Sequence, residues 1–404
     1  MLRQEQISEI IDSQQETFLQ KGDLVTRKAL ADVPVVDNFA TIITGLRRCG
    51  KSTLLLQLLR KDFNDALYIN FEDIRLTAFE TSDFARLQKE IERRELRVIF
   101  FDEIQLIDKW EIFVHQLLNS HFQVFITGSN ASLLSKEMGT HLTGRHLSME
   151  LFPFSFTEFL SFTKTKPNKD SLSLYLQNGG MPEYVKNKEP LILGKLIDDI
   201  LIRDIAIRYG IRDVETLKKL TIFLISNVGK PVSGNKLAGT FGIKSTTTIV
   251  EYFNYLRDSY LIDFLPQFSY SLKAQARNPK KVYAIDTGFI DAVSASFTKD
   301  KGRKLENLVY LHLRRQTKNL YSFKNQGECD FVVFDKDKAT KAIQVCYKIT
   351  DENFEREYSG LIETMNFFKL KKGIMVTMDQ EDKFDKDGSS VELIPAYKFL
   401  TITE

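Results

Sequence analysis

Residues 39–60 read "FATIITGLRRCGKSTLLLQLLR", and the fold follows from them. An apolar β run, Thr41 to Thr44, leads into Gly45-x-x-x-x-Gly50-Lys51-Ser52, and a leucine-rich helical pattern comes next. Strand, glycine loop and helix start stand in the order that a phosphate-gripping loop requires. Gly45, Leu46, Arg47, Arg48, Cys49, Gly50, Lys51, Ser52 and Thr53 would close backbone N–H groups around a phosphate, with the positive end of the helix dipole aimed there. Lys51 would neutralise β- and γ-oxygens, and Ser52 would ligate Mg2+. A plain strand–helix turn is the bland alternative.

Fifty-one residues after Lys51, "LRVIFFDEIQLI" reads as a buried parallel strand, Val98 to Phe101, ending in Asp102-Glu103. The first carboxylate would hold the Mg2+ shell and the second would polarise an attacking water. A third strand, "HFQVFITGSN", ends in Thr127, Ser129 and Asn130. Ser129, with Asn130 close behind, is the expected polar contact to the γ-phosphate or its water, although Gly-Ser-Asn is also ordinary turn chemistry. A helix is expected to about Met138. Arg145 then falls just before the strand "HLSMEL", where it could reach a neighbouring subunit's phosphate as an arginine finger or stay a surface arginine.

In this order "ITGLRRCGKSTLL", "VIFFDEIQ", "ITGSNASLLS", "LTGR" and "FPFSFTEF" resemble prokaryotic AAA-type P-loop ATPases with an appended C-terminal domain. "NGGMPEYV" (178–185) and "LIRDIAIRYGIRD" (201–213) extend the resemblance along most of the chain. It implies an α/β fold: an ATP- and Mg2+-binding AAA core over 37–155, after an N-terminal helical segment 1–36, with a helical lid over 156–212. Arg203 and Arg208 are both candidates for a sensor arginine in that lid.

From Val214 the pattern changes to short helices. "VETLKKLTIFLISNVG" carries Leu217, Leu220, Leu224 and Val228 on one stripe, "VSGNKLAGTFGI" ends near Gly242, and "KSTTTIVEYFNYLRDSYLI" places Ile249, Phe253 and Leu256 on one face. "IDFLPQFSYSLKAQARNPKKVYAID" then alternates like a hairpin with a basic tip. Three helices and a hairpin predict a winged helix-turn-helix over 213–287. In a DNA-binding version Lys244, Ser245, Thr246 and Thr247 would face the major groove, and Lys273, Arg277, Lys280 and Lys281 in the wing would take phosphates. A packing or regulatory module is the alternative.

Residues 288–404 predict a small α/β domain: the helix "RKLENLVYLHLRRQ", two strands in "ECDFVVFDKDKATKAIQVCYK", the helix "NFEREYSGLIETMNFFKL" and the strand "KGIMVTMD". With Glu306 on the first helix and Asp330 leading the first strand, it resembles the restriction-endonuclease-like fold of PD-(D/E)XK enzymes. Gln344 then stands at the second acid and Cys346 at the lysine, so the centre reads as degenerate. Alternation along a strand would put Lys348 on the same face as Gln344, within a lysine's reach.

The chain has 404 residues, 43% hydrophobic, with a net charge of +2, so bulk charge does not argue for nucleic acid. Three cysteines without a CxxC pair exclude a disulfide scaffold. No apolar run approaches the roughly 18 residues of a membrane span, and the N-terminus is too polar for a secretory signal, so a cytoplasmic protein is expected. Overall the chain reads as an ATPase that couples nucleotide state to double-stranded DNA or a protein partner, with homo-oligomers expected if Arg145 acts in trans. A signalling switch with little turnover and an ATP-driven metal-dependent nuclease are the alternatives.

Overall fold

The computed structural model describes residues 1–22, 25–63, 65–130, 144–243, 245–293, 300–386 and 388–402. The helix expected to end near Met138, and Lys244, lie outside the described residues. The chain forms two compact units, one of Met1–Phe152 with Asp258–Tyr260, the other of Pro153–Arg257 with Leu261–Glu404.

In the first unit, five strands make one parallel sheet: β1 (Ala40–Gly45), β2 (Leu67–Asn70), β3 (Val98–Asp102), β4 (Gln123–Gly128) and β5 (His146–Leu151). Their spatial order is β2-β3-β4-β1-β5. The cores of β1, β3 and β4 are fully buried, as expected for parallel strands covered on both faces, whereas the edge strand β5 is mostly half-buried. Helices α1 (Gln4–Leu19), α2 (Lys51–Asp62), α3 (Phe84–Arg93) and α4 (Trp110–Asn119) supply the cover.

The N-terminal segment is part of this core rather than an appendage. Ile7, Ile10 and Ile11 of α1 join Leu67, Ile69 and Phe101 in one apolar cluster. β2 is an edge strand, and such an edge leaves backbone groups unpaired. Two glutamines of α1 pair with them. Gln15 accepts from Tyr68 N (3.0 Å) and donates to Ala66 O (2.7 Å), and Gln14 accepts from Asn70 N (2.7 Å) and donates to Asn70 O (3.1 Å).

The second unit opens with α5 (Phe156–Thr163), α6 (Lys169–Asn178), α7 (Pro182–Asn187) and α8 (Leu191–Asp199), followed by a π-helix, Ile200–Ile207. Next come α9 (Val214–Ser226), β6 (Pro231–Val232), α10 (Gly234–Phe241), α11 (Thr246–Asp258), β7 (Ile262–Leu265), α12 (Leu272–Arg277) and β8 (Lys280–Ala284). The expected basic hairpin tip contains the short helix α12, capped by the Ser271 side chain, which accepts from Ala274 N. β8 is the central strand of the sheet β6-β8-β7.

After α13 (Thr287–Val293), α14 (Lys301–Gln316) leads into β9 (Leu320–Lys324), β10 (Glu328–Asp335), β11 (Lys338–Val345), α15 (Asp351–Phe368), β12 (Lys372–Thr377), β13 (Asp382–Lys386), β14 (Ser389–Pro395) and α16 (Ala396–Phe399). Their sheet has six strands, ordered β13-β14-β12-β11-β10-β9. Sequence reading missed β9, β13 and β14. Leu361 and Met365 of α15 pack on Val332 and Ala342 of this sheet. No helix among the described residues is long and apolar enough to cross a membrane.

Candidate active site

The glycine loop sits where β1 passes into α2. Gly45 has φ +153°, and a Cβ there would meet the Leu151 carbonyl oxygen at 2.2 Å; Gly50 has φ +104°, and a Cβ there would lie 2.8 Å from Arg27 Nη1. Both positions therefore require glycine. Arg27 is buried behind the loop and donates to the carbonyls of Cys49 (2.7 Å) and Phe152 (2.6 Å). Nothing in the polar N-terminal sequence marked it. Arg47 pairs with Glu72, and the buried Cys49 thiol donates to Leu151 O, its pKa raised by burial.

Lys51 opens α2 with its side chain buried. Its ammonium donates to Gly45 O (3.2 Å) and Leu46 O (3.3 Å) and stands 3.6 Å from Glu103 Oε1. Burial alone would lower its pKa, but Glu103, Cys49 and Asp102 outweigh it and hold it above the ordinary lysine value. Glu103 leaves β3 with φ +57°, a conformation a non-glycine residue adopts at a cost of about 1–3 kcal/mol, which aims the side chain across the loop. Its Oε2 accepts from Ser129 N and Ser129 Oγ, both at 3.3 Å. Lys51, Glu103 and Ser129 thus meet, and Asn130 lies buried beside Ser129.

Asp102 is held from both neighbouring strands. Tyr68 of β2 donates to Oδ2 at 2.8 Å, and Thr127 of β4 donates to Oδ1. The Tyr68 ring stacks on Phe18 of α1, centroids 3.8 Å apart and planes 7° apart. Sequence reading missed Tyr68, because its partners are distant along the chain. A carboxylate offers about four lone-pair positions, so two remain for metal-bound water or the Ser52 hydroxyl. The hard oxygen donors and the glycine cradle fit a Mg2+-nucleotide.

Arg145 does not join this cluster. It precedes β5, whose register sets His146 beside Ala40 and Leu151 beside Gly45, so it lies at the other end of the strands, roughly 20 Å from its own glycine loop at the usual rise. There it donates to Asn119 Oδ1 at 2.7 Å. In the second unit Arg203 is exposed on the π-helix, and Arg208 follows it with Nη1 buried and without a hydrogen-bond partner among the described residues.

The second unit corrects two expectations. Lys281 is not on a solvent-facing wing: it is 6% exposed, and its ammonium lies 2.7 Å from Asp330, 3.1 Å from Glu306 and 3.1 Å from Glu328. Burial alone would lower its pKa, but the three carboxylates drive it well above the ordinary lysine range. β11 ends at Val345, so strand alternation does not reach Lys348, which is exposed and is not among the residues lining the cavity beside the cluster. Gln344 is engaged at both ends of its amide, accepting from Asp330 N (3.1 Å) and donating to Glu357 (2.6 Å). Lys281, Glu306, Glu328, Asp330, Gln344 and Arg356 are among the residues lining a cavity of about 840 Å³.

Of the remaining DNA candidates, Ser245, Thr246 and Thr247 are exposed at the start of α11, Lys273 and Arg277 are exposed on α12, and Lys280 is half-buried.

A family model described as an AAA domain matches residues 37–160, and another, described as a domain of unknown function (DUF8612), matches residues 169–300. An uncharacterized protein of Methanocaldococcus jannaschii is 35% identical over 400 residues, covering 91% of this chain and 89% of that protein. An uncharacterized protein of Haemophilus influenzae is 30% identical over 381 residues, covering 88% of this chain and 92% of that one. A solved structure, the closed-state cryo-EM reconstruction of Hsp104 with ATPγS and FITC casein, aligns with a TM-score of 0.29 and 14% identity over 65% of this chain and 53% of that chain.

Proposed function

The chain belongs to the same family as these uncharacterized archaeal and bacterial proteins and carries an AAA-type P-loop domain at residues 37–160; from that premise we propose that it binds and hydrolyses ATP, coupling nucleotide state to double-stranded DNA. The observation that carries the reading is the meeting of Lys51, Glu103 and Ser129 at the glycine loop.

A nucleotide phosphate would take Lys51 over from the Gly45 and Leu46 carbonyls, since a charged acceptor outcompetes a neutral one. Ser52 and Asp102 would hold Mg2+, which when bound neutralises phosphate charge. Glu103 would accept a proton from a water that Ser129 helps to orient, and the bond between the γ-phosphorus and ADP would break. Arg145, being remote from its own loop, would serve only a neighbouring subunit. Turnover per subunit should then rise with protein concentration.

Phosphate release by the wild type, Lys51→Ala and Glu103→Gln tests the assignment. Removing a general base is expected to lower turnover by about 100-fold or more, with ADP binding kept in Glu103→Gln. Full turnover in both variants would sink the ATPase reading. A slow wild type that still binds nucleotide would favour the signalling switch.

DNA contact is supported by the exposed Ser245, Thr246 and Thr247 and by the cations on α12. In the whole chain, Lys273→Ala with Arg277→Ala should lower the salt slope of DNA binding by about 0.9 per lost phosphate contact. An unchanged slope would remove α12 from the interface.

A further inference from the structure

We propose that the ammonium of Lys281 is the permanent cation of the C-terminal pocket, standing where a restriction-endonuclease-like centre would take a divalent metal, and so shuts the pocket to metal chemistry. This inference is independent of the nucleotide reading, since it concerns no residue of the glycine loop.

An ammonium has three N–H donors. Here it donates to Asp330 Oδ1 of β10 at 2.7 Å and to Glu306 Oε1 of α14 at 3.1 Å, and Glu328 Oε1 of β10 stands 3.1 Å away as a third ion-pair partner. A lysine that positions a nucleophile or a phosphate must keep a donor for it. Lys281 commits two to Asp330 and Glu306 and is flanked by the Glu328 carboxylate as well, so it is a counter-ion to the acids rather than a relocated nuclease lysine.

Neighbouring donors also engage these acids and the Gln344 amide. Asp330 Oδ2 accepts from Val345 N at 2.9 Å, and Glu306 Oε1, the oxygen that meets Lys281, accepts from the Tyr283 hydroxyl at 2.7 Å as well. Gln344 spends its carbonyl oxygen on Asp330 N. Among the described residues no set of three His, Cys, Asp or Glu side chains is disposed to hold a metal ion. Room is not the obstacle, because a cavity of about 840 Å³ opens on the cluster.

Nor can the lysine easily withdraw. Lys281 pairs with Leu265 of β7 on one side and with Pro231 of β6 on the other. Moving its backbone would disturb both ladders of the central strand. The lysine therefore joins β8 of the three-stranded sheet to α14 and β10.

Removing the ammonium leaves carboxylate oxygens converging on a common point. Hard divalent cations bind such oxygens at about 2.0–2.6 Å, so side-chain rotations of a few tenths of an ångström complete a site. Mn2+ binding to the whole chain without nucleotide, followed by electron paramagnetic resonance, provides the test. The proteins are the wild type, Lys281→Met, Lys281→Gln, and each of these with Asp330→Asn.

The expected result is no Asp330-dependent Mn2+ in the wild type and one Asp330-dependent Mn2+ gained in the Lys281 variants, accompanied by a higher unfolding midpoint when Mn2+ is added. Asp330-dependent Mn2+ binding by the wild type overturns the proposal. So does a folded Lys281 variant, judged by circular dichroism, that gains none. Should both variants fail to fold, the wild-type pair still decides between the two outcomes.

Discussion

Tyr68→Phe removes one hydroxyl and leaves the ring on Phe18, so it isolates the grip on Asp102. Hydrogen bonds to a charged group contribute about 1.5–3 kcal/mol, and the buried Asp102 Oδ2 has no solvent to replace this one. Thr127 alone would then hold the carboxylate. Outer-shell losses of this kind typically weaken metal binding 10–100-fold. A fluorescent ADP titrated with and without Mg2+ separates the two contributions. Affinity without metal should stay within about twofold, while the Mg2+ concentration that tightens binding half-maximally should rise by about 10–100-fold. Burial, together with Asp102, raises the Tyr68 pKa far above that of ordinary tyrosine, so the hydroxyl keeps its proton and the shift should not vary with pH. An unmoved Mg2+ midpoint would refute the claim that Tyr68 orients the magnesium aspartate. A wild type that binds no ADP would instead refute the nucleotide site itself.

Three further outcomes follow from buried charge and burial. Lys281→Met strips the counter-ion from Glu306 and Asp330 and should cost about 3–5 kcal/mol in chemical unfolding. Glu306 is already pushed up to about 7 by burial and by Asp330, so the deserted carboxyls should take up protons, and the loss should be larger at pH 8 than at pH 5; an equal loss at both would contradict the cluster. Burial lifts Asp286 to about 6, against the N–H donors of Gly180 and Gly288. Its folded state binds the extra proton, so wild-type stability should fall by on the order of 3 kcal/mol as pH rises from about 4 to about 6, a slope absent from Asp286→Asn. Cys49 and Cys329 are buried, the latter with its thiol pushed up to about 12, whereas Cys346 is half-buried. Iodoacetamide should therefore label Cys346 first in the native protein, and mass spectrometry of early labelling at Cys329 would contradict the packing of β10.

The sequence by itself determined the glycine loop and the Asp102-Glu103 strand end, while the sheet order and the edge strand β2 came only with the structure. These were legible because the chemistry is local: a phosphate cradle is built from consecutive backbone groups, and a parallel strand covered on both faces is a continuous apolar run. Ser129 was legible for a similar reason, at the tip of such a run. Only the tertiary structure decided what holds these parts. Tyr68 reaches Asp102 across 34 residues, Arg27 reaches Phe152 across 125, and Gln14 and Gln15 seal a strand edge more than 50 residues away. The same holds for the C-terminal pocket. Read along the chain, Cys346 marked a missing lysine, and Lys281 was a basic residue on a presumed wing. Folding carries it 49 residues to Asp330, where three acids surround its ammonium. A charge pair of that kind has no local signature, since neither burial nor the partner's position is written in the residues beside it.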